Sequence, residues 1–509
     1  MNLIVSTSTF GFFTLISRIL GYVRDILIAF FLGTSLFADA FFVAFRSPNT
    51  FRRLFAEGTF NAAFIPSYAG ILTKNKIKAD NFAKNVFNLL FIILLFLVLL
   101  AEIFMPQLIF LIAPGFYNDP EKFKLAVELS RITFPFLFFI CLASFFSAIL
   151  NSYNKFAAAA AAPIILNIIL ILALLFSKWI NISNVLILSY AVSFAGFLQL
   201  IVLFFFVKKN FKPILTIKIK IDKQVKFFFN KLLPSIFSSG VTQINILIGT
   251  IIASFQAGAV SYLYYADRVY QINLAVAGIA IGTVMLPQLS KYVKNNDLIK
   301  INNLQNRSLE FCLFLSVPAA VALVLASEEI ITSLFGYGSF DNESVINTAK
   351  ALTFFAFGVP AFSILKIFSN YFFARDDTKT PFYLSVISVT INIIISVSLF
   401  NRFGFIIIPI ATSISSWINV FMHYYFIKKR NLYTFDVKFI YKLPRMILSV
   451  VVMGLILYLT LGIFSDKFDY NESWKFIYLF IIVITSLFSY FFVSNFSGAF
   501  KFKDIKFKK

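Results

Sequence analysis

Ser17-Arg18-Ile19-Leu20-Gly21-Tyr22-Val23-Arg24-Asp25 places two arginines and an aspartate inside a run otherwise dominated by apolar residues and glycine. Asp39, Arg46, Arg52, Arg53 and Glu57 continue the pattern through a second stretch rich in Phe, Leu, Val and Ala. An ionised side chain near a bilayer centre costs about 2.5 to 3.5 kcal/mol on the insertion scale, so such residues face a bundle interior or a wet cavity. The surplus is cationic, which points to a cavity for an anion, with Asp25, Asp39 and Glu57 as partners that hold some of the arginines in place. Arg18 and Arg24 are six residues apart, about 9 Å along a helix. Gly21 between them allows a kink or a close approach, so both guanidinium groups reach one extended anion such as a diphosphate. In the alternative, Arg24 and Asp25 pair with neighbouring helices and only orient the bundle.

Working outward, the 509 residues are 60% hydrophobic and 18% aromatic, only 13% charged, and have a mean hydropathy of +0.86. That is an all-α polytopic membrane protein, with about 14 apolar runs of spanning length. The net charge of +22 does not indicate nucleic acid, because the lysines collect in short links between spans and form no basic surface on a soluble domain. Lys74, Lys76 and Lys78, then Lys208 to Lys223, then Lys291 to Lys300, then Lys428 to Lys442 occupy one set of alternate links. Asp119 and Glu121, Asp341 and Glu343, and Asp466 to Glu472 occupy the other, diluted by Lys122, Arg402, Lys467 and Lys475. The positive-inside rule makes the lysine-rich links cytoplasmic and, with an even number of spans, both termini with them. No cleavable signal peptide is expected, since the first apolar stretch lacks a basic n-region. Cys141 and Cys312 read as small buried hydrophobes.

Six spans are expected between residues 5 and 207, then a basic link, six more between 224 and 427, and a last pair near 443–464 and 474–496. This gives two pseudo-symmetric six-helix lobes, 1–215 and 216–435, and a C-terminal part, 436–509, with a basic tail. The halves look alike: Arg46 precedes Pro66 as Arg268 precedes Pro287, and Asn151, Tyr153 and Lys155 resemble Asn370, Tyr371 and Lys379. Six intervening spans keep the orientation, so the repeat is parallel, about an axis along the membrane normal.

No catalytic constellation, metal-ligand cluster or cofactor motif is present, and the chain does not read as an enzyme. His423, the only histidine, is expected to be packed or interfacial. No phosphate-cradling loop is followed by Lys and Ser or Thr, so the energy for any work comes from a gradient, the membrane potential or a partner. Pro48 removes a backbone donor and is expected to bend or break its helix, which makes it a hinge candidate with Gly21. Arg52 lies just past that point as a third anion ligand, one turn from Glu57 and Pro48, while Arg53 points about 100° away. In the second half, Ser261-Tyr262-Leu263-Tyr264-Tyr265-Ala266-Asp267-Arg268 supplies another embedded cation; a bare Asp267 and Arg268 ion pair is the alternative. Lys366 also lies within a span, and whether it lines the cavity is left open.

On these segments the chain resembles the MurJ (MviN) family, the lipid II flippases of the multidrug/oligosaccharidyl-lipid/polysaccharide exporter superfamily. The resemblance is carried by Ser17 to Asp25; Ala38 to Asn49; Arg52-Arg53 with Phe55-Ala56-Glu57-Gly58 and Phe64-Ile65-Pro66; Ala113-Pro114-Gly115-Phe116; Tyr264 to Arg268; and Leu286-Pro287. It implies two lobes around a cationic cavity and a groove for a polyprenyl tail on the last two helices. It also implies Arg18, Arg24, Arg52 and Arg268 as the diphosphate-binding set, supported by Ser17, Asp25, Asp39, Asn49 and Ser261; Glu57 and Asp267 join them as charged neighbours. The implied substrate is lipid II, undecaprenyl-diphosphate carrying the disaccharide-pentapeptide unit of peptidoglycan, moved to the outer leaflet of the bacterial cytoplasmic membrane. Membrane lipids and cell-wall synthesis proteins are the further implied partners. Where some relatives have Glu, this chain has Gln271, which puts the role of an acid there in doubt.

Three rivals remain at this level. A cation-coupled multidrug exporter should show a carboxylate-dominated cavity, whereas the embedded charges here are mostly arginines. A flippase for another polyprenyl-diphosphate glycan shares the diphosphate, so cavity charge does not separate it from the first reading. A non-transporting scaffold that recruits cell-wall enzymes leaves the embedded arginines without a purpose.

Overall fold

The computed structural model describes residues 3–55, 59–180, 182–216 and 223–500. Glu57, Lys218, Lys220 and the basic tail 501–509 lie outside the described residues. The described residues are helical with no strand among them, in two compact units, Met1–Ser261 and Tyr262–Lys509. The first holds α1 (Leu3–Leu32), α2 (Leu36–Phe55), α3 (Thr59–Leu72), α4 (Lys76–Ile103), α5 (Met105–Ile112), α6 (Pro120–Thr133), α7 (Pro135–Ser152), α8 (Phe156–Ile180), α9 (Asn184–Val207) and α10 (Lys223–Ala253), and ends within the first turn of α11 (Ala259–Leu274). The second continues through α12 (Ile281–Lys294), α13 (Leu298–Leu325), α14 (Ser327–Phe335), α15 (Asn342–Ala356), α16 (Val359–Phe373), α17 (Lys379–Phe403), α18 (Ile407–Lys429), α19 (Val437–Ile463) and α20 (Lys475–Ser497).

Among the described residues nine stretches are long and apolar enough to cross a membrane, or ten if α15 and α16, bent by 40°, form one span. The protein is therefore a multi-pass membrane protein, while the figure of about 14 spans stays an expectation. One of the nine, Lys379–Lys429, holds α17 and α18, two helices packed side by side.

Helix starts recur with a fixed offset. Asn75 caps α4 by accepting from Lys78 N at 3.0 Å, and Asp297, 222 residues later, caps α13 by accepting from Lys300 N at 3.1 Å. Asp119 caps α6 and Asp341, again 222 residues on, caps α15. Asn154 (φ 58°) and Asp376 (φ 57°), also 222 apart, take the left-handed turn before the next helix in each unit. Asn88 of α4 donates to Ile214 O at 3.1 Å and accepts from Thr216 N, while Asn306 of α13 donates to Thr434 O at 3.0 Å and accepts from Asp436 N. Each unit thus fastens the segment after its long outgoing helix with one asparagine, and local rules and tertiary contacts repeat together.

Aromatic packing fills the cores. Phe64 lies 5.1 Å from Phe145 and 5.8 Å from Phe82 in the first unit, and Tyr371, Phe372 and Phe368 anchor the core of α12, α13, α16 and α18 in the second. The C-terminal pair α19 and α20 is tied to α13 by the Lys442–Glu310 ion pair at 2.5 Å and by Tyr490 Oη donating to Phe314 O at 2.8 Å.

Of the bend or break expected at Pro48, the break is corrected. α2 runs through Pro48 to Phe55 without a break. Proline's missing N–H leaves the carbonyl four residues earlier, Ala44 O, without its helical donor. Thr133 Oγ1, at the end of α6, donates to that oxygen at 2.9 Å, and Asn49 Nδ2 donates to Phe45 O at 2.7 Å. With the orphan satisfied from outside, the helix has no reason to open there.

Candidate functional site

In α1, Gly21 works as a close approach. A Cβ there would stand 3.5 Å from Asn167 Nδ2 of α8, so the glycine lets the two helices meet at that asparagine. Asn167 binds in both directions: its Nδ2 donates to Ser17 O at 2.8 Å, and its Oδ1 accepts from Arg24 Nη1 at 2.9 Å. Arg24 also donates through Nε and Nη2 to Asp25 Oδ1, at 3.0 and 2.7 Å. Both charged residues are buried, at 7% and 2% exposed, and the Arg24 guanidinium lies 5.7 Å from the Phe45 ring centre. A buried cation needs a carboxylate and hydrogen-bond acceptors, and this knot supplies both for three of the five N–H groups. Arg18 differs. It is exposed, and it forms no ion pair or hydrogen bond among the described residues.

Asp39 of α2 is fully buried and receives four donors. Ser261 N and Oγ donate to its Oδ1 at 2.9 and 2.6 Å, and Gly258 N and Lys122 Nζ donate to its Oδ2 at 2.9 and 2.6 Å. The carboxylate therefore caps the first turn of α11, where the helix dipole favours negative charge, and Lys122 neutralises it. Lys122 in turn lies 4.2 Å from the Phe116 ring centre. Gly115 beside it presses on the end of α10: its N donates to Ser254 Oγ at 2.9 Å, and a Cβ would sit 2.4 Å from the Ser254 backbone. Arg46 Nη1 donates to Thr250 Oγ1 at 2.6 Å. Three contacts thus hold α10 and the start of α11 against α2, α6 and the turn after α5. Farther along α2, Arg52 Nε donates to Asn49 Oδ1 at 3.1 Å and is half-buried.

In the second unit Arg268 Nη2 donates to Tyr264 Oη at 3.1 Å, and the guanidinium carbon lies 4.6 Å from that ring centre. Asp267 accepts from Gln271 Nε2. The residue standing where an acid was in doubt is thus a donor to Asp267. Among the described residues no group of three metal-ligating side chains occurs. His423 is buried, with Nδ1 against Asn419 O at 3.0 Å, as a packed histidine should be.

Within the first unit the structure brings Ser17, Arg24 and Asp25 together around Asn167, and Asp39 together with Ser261. Sequence reasoning gave no site role to Asn167, Lys122, Thr250 or Thr133. Three are uncharged and give no signal in an apolar helix; Lys122 lies in a link, where a lysine passes for a surface residue.

The profile of the family described as "Lipid II flippase MurJ" matches residues 28–499. A curated relative from Rhizobium meliloti (strain 1021), described as a probable lipid II flippase MurJ, is 40% identical over 463 residues, 90% of this chain and 86% of its own. A solved structure of lipid II flippase MurJ in an inward closed conformation superposes with a TM-score of 0.81 at 30% identity, covering 96% of this chain and 98% of that one. An inward-facing multidrug resistance MATE family transporter of the MOP superfamily, at 14% identity, shares the fold with a TM-score of 0.66 over 81% of this chain and 94% of that one. Embedded arginines, a helical fold of this type and near full-length similarity converge: the chain belongs to the lipid II flippase MurJ family.

Proposed function

We propose that this protein is a lipid II flippase, carrying undecaprenyl-diphosphate with its disaccharide-pentapeptide from the inner to the outer leaflet of the bacterial cytoplasmic membrane by alternating access. The observation that carries the reading is Arg18, an exposed cation inside an apolar helix with no partner among the described residues, six residues from Arg24 and its knot. Asp25 and Asp39 are each matched by a cation of their own, Arg24 and Lys122, so neither is set aside for Arg18. Arg18, Arg52 and Arg268 are the diphosphate ligands in this reading, and Arg24 adds to them. Three of its N–H groups are committed to Asp25 and Asn167, and the remaining two of a guanidinium's five are available to a phosphate oxygen. Adding α1, the α2 and α3 pair, α10 and the bent α15 and α16 pair to the apolar stretches, with α17 and α18 taken separately, gives about 14 spans, in six-helix lobes 1–215 and 216–435 followed by the last pair.

The cationic excess favours an anionic substrate over the cationic drugs of a multidrug exporter. Replacing Arg18 or Arg268 with Ala should abolish flipping in a leaflet-accessibility assay with reconstituted protein while the variants stay folded. Full transport by both would overturn the reading. Complementation of cells depleted of their own lipid II flippase separates this substrate from other polyprenyl-diphosphate glycans.

A further inference from the structure

Between α11 and α12 the backbone passes through a π-helical segment, Ala275–Ala280. Two glycines four residues apart, Gly278 and Gly282, press there against α16. A Cβ at Gly278 would stand 3.1 Å from Ser363 Cα and 3.5 Å from Lys366 Cγ, and one at Gly282 would stand 3.1 Å from Asn370 Nδ2. Paired small residues of this spacing let membrane helices approach closely. Asn370 Nδ2 uses the approach to donate to Gly282 O at 2.8 Å. Ser363 is fully buried, yet its hydroxyl has no partner among the described residues. Lys366 follows it by three residues, on the same face of α16. It is exposed while its neighbours Ile364 and Ile367 belong to the core, and it forms no ion pair or hydrogen bond among the described residues.

A lysine exposed within a spanning helix faces water, because lipid exposure is costly. Single π turns inside α-helices frequently mark functional sites. Gly278 is ten residues past Arg268, about 15 Å along the helix. An ammonium at that level is out of reach of the phosphates that Arg268 holds, and level with whatever extends beyond them.

We propose that Lys366, with the unpartnered Ser363 hydroxyl beside it and the Gly278/Gly282 face behind it, is a second anion subsite that takes a carboxylate of the transported head group's peptide. The assignment rests on the lipid II reading, since a peptide ends in a carboxylate and a bare glycan does not. The test reconstitutes the full chain in phosphatidylcholine vesicles and compares flipping of lipid II with free peptide carboxylates against lipid II with those carboxylates amidated. Wild type should favour the free acid by about tenfold, the size of one charge-assisted hydrogen bond. Lys366→Met should bring the two lipids to parity with the amidated rate unchanged, and Lys366→Arg should keep the preference. No preference in wild type, a preference that survives Lys366→Met, or equal loss of both lipids in that variant would each overturn the subsite. So would a preference erased by adding phosphatidylglycerol, which would assign Lys366 to a phospholipid head group. If wild type moves neither lipid, the flippase reading fails first and the subsite with it.

Discussion

The knot around Arg24 shows what an isolated charge in an apolar helix requires. Its cost is met by Asp25 next to it and by Asn167, 143 residues away, and only the first of these was legible in the sequence. An asparagine in the middle of an apolar helix carries no charge pattern, and its role comes from the Gly21 approach that puts α8 against α1. Asn167→Leu removes the bonds to Arg24 Nη1 and Ser17 O and leaves a buried guanidinium short of an acceptor, so it should cost about 1.5 to 3 kcal/mol. Thermal unfolding in detergent measures this, and a midpoint equal to wild type would show that the asparagine does not hold the arginine. Arg18 stands in contrast. Its reading as a ligand came from its position in the sequence alone, and its exposure supports that reading without adding a partner.

At the scale of elements, four helix starts have local determinants, which the sequence reading did not use. Asn75, Asp119, Asp297 and Asp341 cap the helices that follow them, within a few residues of where apolar periodicity starts. That α2 stays unbroken at Pro48 was not legible, because the donor replacing its missing N–H comes from α6, beyond any local rule. The same contrast between local and distant partners governs Asp377, in the turn between α16 and α17. Burial works against its ionisation, but Thr380 N at 3.0 Å, Thr380 Oγ1 at 2.7 Å and Arg430 at 2.5 Å prevail and hold the carboxyl below its ordinary value. A carboxyl lowered on folding stabilises the protein above its unfolded value, near 3.9, and that contribution is lost as pH falls through the folded value. Asp377→Asn should therefore melt lower than wild type at pH 7, and the gap should close as the buffer is taken below about pH 4. A gap that stays constant with pH would mean that the charged form contributes nothing.

For the whole molecule, the repeat was legible, and one of the two matches that suggested it also carried its register. Arg46 and Arg268 are 222 residues apart, the offset that the caps and left-handed turns keep, whereas Asn151 and Tyr153 against Asn370 and Tyr371 are 219 and 218 apart. Aromatic residues in a lipid-facing or packed helix are interchangeable enough to drift, while a cap or a left-handed residue is tied to one backbone position. If the copies are separated by an even number of spans, as two six-helix lobes require, the lysine-rich links all lie on one side of the membrane, which gives a direct test of orientation. The two native cysteines are buried, so single cysteines placed on exposed positions report with little background. Lys209→Cys and Lys429→Cys, both at exposed positions, should react with a membrane-impermeant maleimide only when the cytoplasmic face is opened, and Glu121→Cys and Asp466→Cys should react in intact spheroplasts. If Lys209→Cys and Lys429→Cys were labelled from opposite sides, an odd number of spans would separate them. The two halves would then be inverted copies, and the parallel repeat that the 222-residue offset describes would have to be abandoned.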